Sequence, residues 1–312
     1  EDMSVQSTVM RSVMRQARTA ARGTAPVLLR GEGGVGKNHL ARAIHNDSER
    51  GDKPFLAINC RAIPHELMIS EFLGQEQSRS VDGRPSKFEL ANGGTLMFDQ
   101  IESLSLEMQA ALLHVIETGH VLRLGSSRPI PVDVRIIGAT SDDLEALVAA
   151  GHFISHLYYR FGVFNITIPP MRERTEDIPL LAERFLARIS RRDGRAAWID
   201  DEATAVLRRY PWPGNVRELE SALERALLQS SDNTIRAADL PEIIRNGRIV
   251  IANSPQAEPV LTTAEAEREA ILRAGWACQG RVTEMSQQLG IGRTTLWRKM
   301  KRLRISPHQF KQ

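Results

Sequence analysis

The octet Gly31-Glu32-Gly33-Gly34-Val35-Gly36-Lys37-Asn38 carries the densest potential chemistry in this 312-residue sequence. It follows the apolar run 26–29 and opens a helical pattern. Glycines at this spacing let backbone N–H groups wrap phosphate oxygens, Lys37 reaches the outer phosphates, and the helix N-terminus adds its dipole. The bland alternative is a Gly-rich turn without a ligand; strand, GxxxxGK spacing and helix together argue against it. ATP or ADP is the expected cofactor. The hydroxyl that usually ligates Mg²⁺ in such loops is replaced by Asn38, so an altered metal site is expected.

A second strand end, Gly93-Gly94-Thr95-Leu96-Met97-Phe98-Asp99-Gln100, offers a carboxylate where P-loop proteins hold Mg²⁺. Read alone, Asp99 could simply cap a strand; with the P-loop upstream, Mg²⁺ binding is the better reading. The next position, where a Glu usually orients the attacking water, is Gln100, and a carboxamide cannot accept a proton as a carboxylate does. Binding is therefore expected to be intact, and hydrolysis weak or absent.

These residues need a scaffold. A helix over 4–22 precedes the first strand, and further apolar runs at 55–58, 95–98, 134–139 and 164–168 read as strands. Helical patterns lie between them at 40–46, 106–118 and 144–149. Apolar strands that do not alternate with polar residues predict a parallel sheet covered on both faces, an α/β fold. After Pro169-Pro170 the pattern is helix only, from 178 to 244, broken at Pro211-Trp212-Pro213-Gly214. Residues 247–262 read as a linker, and three short helices finish the chain. The expected division is 1–171 (nucleotide-binding α/β subdomain), 172–246 (helical lid), 247–262 (linker) and 263–312 (helix-turn-helix).

Composition restricts the function class. Hydrophobic content of 42% with 25% charged residues permits packed cores and argues against wholesale disorder. The net charge of +3 is uninformative, but its distribution is not: residues 281–312 hold eight Lys/Arg against the single acid Glu284. That concentration suits a nucleic-acid contact. Two distant cysteines, Cys60 and Cys278, exclude a disulfide scaffold or zinc finger and suit a reducing cytoplasm. No apolar run approaches membrane-spanning length. The chain begins at Glu1 in a helical pattern, which reads as a piece of a longer protein.

With the P-loop, Asp99, Pro169-Pro170-Met171-Arg172-Glu173-Arg174 and Trp212-Pro213-Gly214-Asn215-Val216-Arg217-Glu218-Leu219 together, residues 5–246 resemble the AAA+ domain of bacterial enhancer-binding proteins, which remodel sigma-54 RNA polymerase. The remainder resembles their Fis-type DNA-binding domain. The resemblance implies that Lys37 and Asp99 bind nucleotide and metal. It implies that Asn59 couples nucleotide state to a remodelling loop, that Thr140 acts as sensor I (with Ser141 where an Asn is usual), and that Arg217 is the sensor II arginine of the lid. It makes Arg160 one of two catalytic arginines inserted into a neighbouring subunit, while the position of the other holds Ile154, which cannot stabilise phosphoryl charge. A Glu often follows the family's P-loop lysine, which makes Asn38 less unusual.

The family's sigma-54-contacting GAFTGA loop should lie between Gly74 and Phe88, and that segment holds no such motif. Missing loop, missing Glu and missing second arginine together imply a relative that works with the housekeeping polymerase. Within the family the likeness points to regulators of glycerol and dihydroxyacetone genes, whose N-terminal sensory regions bind dihydroxyacetone kinase subunits.

At the C-terminus, 265–274 supplies a first helix, Val282, Met285 and Leu289 pattern a second, and Gly290 makes the tight turn before a third. Over 293–303, Leu296, Met300 and Leu303 should face inward and Arg293, Thr294, Thr295, Arg298, Lys299 and Arg302 outward. Arg293 and Thr295 are candidate base contacts; Lys299, Lys301 and Arg302 are candidate phosphate contacts. The alternative is a basic helix that is merely solvated. One such unit contacts one half-site, so a dimer on a palindromic double-stranded operator is expected. His152 and His156 lack a third ligand and read as surface histidines. The four tryptophans, at 198, 212, 276 and 297, read as packing residues, and Cys60 as a buried small hydrophobe.

Three functions remain in competition: a nucleotide-gated DNA-binding regulator, a hexameric ATPase that remodels promoter complexes, and a P-loop scaffold that binds nothing. Gln100 and Ile154 favour the first; Lys37, Asp99, Arg160 and Arg217 keep the second open.

Overall fold

The structure is a computed structural model that describes residues 5–76, 83–194, 196–230 and 232–246, then 268, 270–272, 274–276, 278, 280–303, 305, 306 and 310. Residues divide into two compact units, 1–249 and 250–312. The expected linker lies outside the described residues, as does part of the first C-terminal helix.

The first unit contains strands β1 (Val27–Arg30), β2 (Phe55–Asn59), β3 (Thr95–Asp99), β4 (His120–Val121), β5 (Ile130–Pro131), β6 (Arg135–Thr140) and β7 (Phe164–Thr167). Five form one parallel sheet in the order β2-β3-β6-β1-β7, and β4 and β5 make a short antiparallel ribbon. The apolar strand runs are continuous because both faces are covered. Leu28, Leu96, Phe98 and Ile136 face one core, while Val27, Leu29, Met97, Ile137 and Ala139 face the other. Helices α1 (Thr8–Ala21) and α2 (Lys37–Asn46) cover the second face. The first face is covered by α3 (His65–Leu73), α4 (Lys87–Leu90), α5 (Leu106–Thr118), α6 (Leu144–Ala149) and α7 (Ser155–Phe161).

Helix α1 is shorter than its apolar pattern because both ends are stopped by specific partners. Ser7 caps it by accepting from Met10 N, and Asp177 accepts from the Gln6 and Ser7 backbone and from Ser7 Oγ. At the other end Ala20 O accepts from Arg22 and Gly23 N, and the buried Arg135 guanidinium donates to the Ala20 and Ala21 carbonyls.

Beyond Pro169-Pro170 the chain forms a helical subdomain: α8 (Ile178–Asp193), α9 (Asp201–Arg209), α10 (Asn215–Gln229) and α11 (Glu242–Arg245) around their own core. Helix-only was the expectation here, and it needs correcting. Strands β8 (Trp198–Ile199) and β9 (Thr234–Ile235) pair in parallel. Two-residue strands carry too little periodicity to be seen in sequence. The tryptophans also divide. Trp212 is fully buried, donates Nε1 to Leu207 O and meets Tyr210 edge-on, whereas Trp198, Trp276 and Trp297 are exposed.

In the second unit, α12 (Val282–Gln288) and α13 (Arg293–Arg302) pack around Met285, Leu296 and Met300, with Ile271 and Ala274 of the preceding helical segment. Gly290 joins them at φ +63°, a left-handed conformation in which glycine carries no Cβ penalty. Leu303 is half-buried against this core, as its spacing predicts. Among the described residues, no helix is long and apolar enough to cross a membrane.

Candidate nucleotide site and DNA-facing helix

The P-loop leaves β1 at the carboxyl edge of the parallel sheet, where crevices for ligands arise. Gly31 (φ +148°), Gly34 (φ +79°) and Gly36 (φ +107°) turn the chain into the N-terminus of α2. The N–H groups of Gly33, Gly34 and Gly36 donate to no other backbone group and are available to a bound anion. A Cβ at Gly33 or Gly36 would meet nothing within 4 Å, which leaves the concave side open. Lys37 is buried to 7% exposure, and Nζ donates to Gly31 O (2.6 Å), Glu32 O (3.1 Å) and Ser141 Oγ (2.9 Å). Burial pushes its ammonium below the usual lysine range, opposed by the nearby carboxylates of Asp99 and Glu102.

Gly33, Gly34, Gly36, Lys37, Asn38, Asp99 and Ser141 line one wall of a cleft of about 200 Å³, and Val216, Arg217 and Glu220 of α10 line the other. The cleft adjoins a larger cavity of about 510 Å³ between α2, α8 and α10, sharing Gly36, His39, Val216 and Glu220 with it. Together they give a polar end for phosphates and a more apolar end with room for a base and sugar. The donor set and shape fit a nucleotide.

The corner expected to hold a cation differs from the usual arrangement. Asn38 Nδ2 donates to Asp99 Oδ2 at 3.1 Å, so an amide donor holds the carboxylate where a hydroxyl ligand would serve a cation. Gln100 sits at φ +58°, left-handed, at the start of a 3-10 turn over Ile101–Ser103. Beyond it Glu102 Oε2 is buried without a hydrogen-bond partner.

Several residues that the resemblance assigns to nucleotide sensing lie outside the cleft lining. Thr140 is fully buried, and its hydroxyl accepts from Asp142 N; Ser141, the next residue, faces Lys37 instead. Asn59, paired in register with Asp99, uses Oδ1 to cap the 3-10 turn Cys60–Ala62. Arg160 is about half exposed and pairs with Glu117 at 2.9 Å, away from its own chain's P-loop. Ile154 packs on the core that covers the first sheet face. Cys60 is completely buried, and burial pushes its thiol far above the ordinary range. His152 precedes α7 while His156 lies within it, and both are exposed.

The largest contribution missed at the sequence level is the joint between P-loop and lid. Asn215, fully buried at φ +53°, accepts from Met171 N (2.8 Å) and donates Nδ2 to Glu32 Oε2 and Gly33 O, both at 3.1 Å. Val216 N donates to Gly34 O at 3.0 Å. A Cβ on Gly34 would stand 2.3 Å from Gly214 O, so this approach requires glycine. Arg172 clamps Glu32 through two hydrogen bonds and holds its carboxyl below the usual range. The buried Arg174 donates to Val35 O. The local hint was Asn after Gly in a turn, since Asn tolerates the left-handed region better than most residues.

In the second unit, Arg293, Thr294, Arg298, Lys301 and Arg302 are exposed on α13, and Thr295 and Lys299 are half-buried. Helix α13 contains no acidic residue.

Comparison with known proteins agrees with this architecture. Residues 3–167 match the sigma-54 interaction domain, 172–255 the AAA+ ATPase lid domain, and 262–303 the Fis family of bacterial regulatory proteins. The chain is 44% identical over 313 residues to the glycerol metabolism operon regulatory protein of Citrobacter freundii, covering 100% of this chain and 49% of that one. It is also 44% identical to the PTS-dependent dihydroxyacetone kinase operon regulatory protein of Escherichia coli, covering 97% and 47%. It thus spans about half the length of these relatives. The crystal structure of NtrX from Brucella abortus in complex with ATP superimposes with a TM-score of 0.71 at 29% identity, covering 97% of this chain and 69% of that one. With a parallel-sheet P-loop domain, a helical lid and a Fis-type helix-turn-helix in this order, the chain belongs to the sigma-54 interaction domain family of bacterial transcription regulators.

Proposed function

We propose that the protein is a DNA-binding transcriptional activator in which ATP or ADP, held between P-loop and lid, sets the conformation, with hydrolysis slow or absent. The observation that carries this reading is the direct joint between Asn215 and Val216 of the lid and the carbonyls of Gly33 and Gly34. A ligand on the P-loop N–H groups acts on the same peptide units whose carbonyls hold the lid. Asp99 would hold Mg²⁺, and the cation would neutralise phosphate charge there. Asn38 already engages that carboxylate, and Gln100 supplies no carboxylate to orient water.

The division into 1–171, 172–246, 247–262 and 263–312 belongs to this reading. So do the DNA contacts of Arg293, Thr294, Thr295, Arg298, Lys299, Lys301 and Arg302 on a palindromic operator, made by a dimer or higher homo-oligomer acting in the cytoplasm. Likeness to the two regulators supports control of glycerol and dihydroxyacetone genes. Contact with RNA polymerase and with dihydroxyacetone kinase subunits belongs to the same reading. Gln75 and Arg84 pair as an isolated antiparallel bridge. The segment between them holds no GAFTGA motif. A segment without GAFTGA suits work with the housekeeping polymerase.

A second reading, an active ATPase that remodels sigma-54 promoter complexes, is favoured by the convergence of Lys37, Asp99 and Arg217 on one cleft. Arg160, exposed, paired with Glu117 and outside its own cleft, would reach a neighbouring subunit by exchanging that partner. ATP binding and turnover of the chain, with and without operator-sized DNA and beside Gln100→Glu and Lys37→Ala, separate the two. Binding without turnover, with hydrolysis gained in Gln100→Glu and binding lost in Lys37→Ala, is expected. Robust turnover by the unmodified chain would return the remodelling ATPase to first place.

A further inference from the structure

We propose that Trp297 is a specificity-determining residue of the DNA-binding unit, reading the 5-methyl group of a thymine in the major groove. The proposal rests on the DNA-binding reading above.

Trp297 is 54% exposed and takes no part in the core of its unit, which Leu296 and Met300 fill from the same helix. At 100° per residue the indole stands on the flank it shares with Arg293 and Lys301, four residues away on either side, and Thr294, three residues before. All four side chains are exposed. A large apolar surface is thus held in water between two cations and a hydroxyl, on a helix without a single acidic residue. The charge commits the partner to a polyanion, and the indole commits it to one that presents an apolar group between its phosphates. In duplex DNA the thymine methyl is the apolar group displayed on the major-groove edge, and it is read by apolar side chains. Arg293 and Lys301 would hold the flanking phosphates while the ring lies on the base edge. This places base reading on Thr294 and Trp297 of that strip, whereas Thr295 is half-buried on the other flank.

The test uses the full chain and a duplex selected by it from a randomised pool. Each thymine of that duplex is then replaced singly by uracil, which removes only the methyl, and affinities are measured for the parent, Trp297→Ala, Trp297→Phe and Lys301→Ala. At one thymine per half-site, uracil should weaken the parent about four-fold, the worth of one buried methyl. Trp297→Ala should bind the thymine duplex more weakly and show no further loss with uracil there. Trp297→Phe should keep the thymine preference, and Lys301→Ala should lower affinity for all duplexes alike. An equal uracil penalty in parent and Trp297→Ala at every position overturns the proposal. So does a Trp297→Ala protein whose assembly mass changes while its DNA affinity does not, because the indole would then pack on a second copy. If the parent selects no duplex at all, the DNA-binding reading fails and takes this inference with it, an outcome distinct from failure at Trp297 alone.

Discussion

Replacing Asn215 by Ala removes three hydrogen bonds at the joint between P-loop and lid, and the structure sets the size of the loss. Met171 N is buried and has the Asn215 carboxamide as its acceptor, so truncation leaves it unpaired at a cost of about 1–3 kcal/mol. Gly33 O and Glu32 lose a donor at partly buried positions, which adds about 1 kcal/mol. Alanine must also adopt the left-handed backbone at φ +53°, where Asn is better tolerated, for roughly 1 kcal/mol more. The total is about 3–5 kcal/mol. For a unit of this size each kcal/mol moves the melting temperature by about 2–4 °C, so a fall of at least about 6 °C is expected. Asn215→Gly loses the same hydrogen bonds without the backbone cost and should melt about 2–4 °C above Asn215→Ala. The assay is scanning calorimetry of parent and both variants without nucleotide at one protein concentration. An Asn215→Ala protein that melts within 2 °C of the parent would refute the argument that this carboxamide holds lid to P-loop.

Two further outcomes follow from charge. Arg123 hydrogen-bonds the Glu89 carboxyl and, with the Ser86 capping contacts, holds its pKa down at about 2 from an ordinary 4.5. A depressed folded-state pKa stabilises the fold fully above the ordinary value and loses that contribution as pH falls towards 2. The urea midpoint of Glu89→Gln should therefore lie below the parent's at pH 6, and the gap should close in acid; a constant gap would contradict the ion-pair assignment. On DNA, Lys301→Ala and Arg302→Ala should each flatten the dependence of log affinity on log salt by about one unit, and unchanged slopes would remove these residues from the phosphate contacts.

Much of the fold was legible because its signals are local. The Gly31–Gly36 turn between an apolar run and a helix, the two-sided strands, and Gly290 before the basic helix each write their conformation into a few neighbouring residues. The site was legible in part. Lys37, Asp99 and Arg217 line one cleft, but Ser141 rather than Thr140 lines it with them. A strand's side chains alternate, and which of two neighbours faces the ligand depends on pairing register, which a motif does not encode. The strands β8 and β9 were too short to leave a period, and the exposure of Trp198 and Trp297 depends on which helix faces found partners.

What the sequence by itself determined was the order of strand, phosphate loop, lid and basic helix, the glycines that permit left-handed turns, and the presence of Asn38 and Gln100 where a hydroxyl and a Glu are usual. These follow from residue type and near-neighbour geometry. Only the tertiary structure decided that Asn215, 183 positions from Glu32, closes onto the P-loop, that Asn38 spends its amide on Asp99, and that Asp177 pins the start of α1. Such contacts join residues with no shared local period, and packing of the two subdomains against each other creates them.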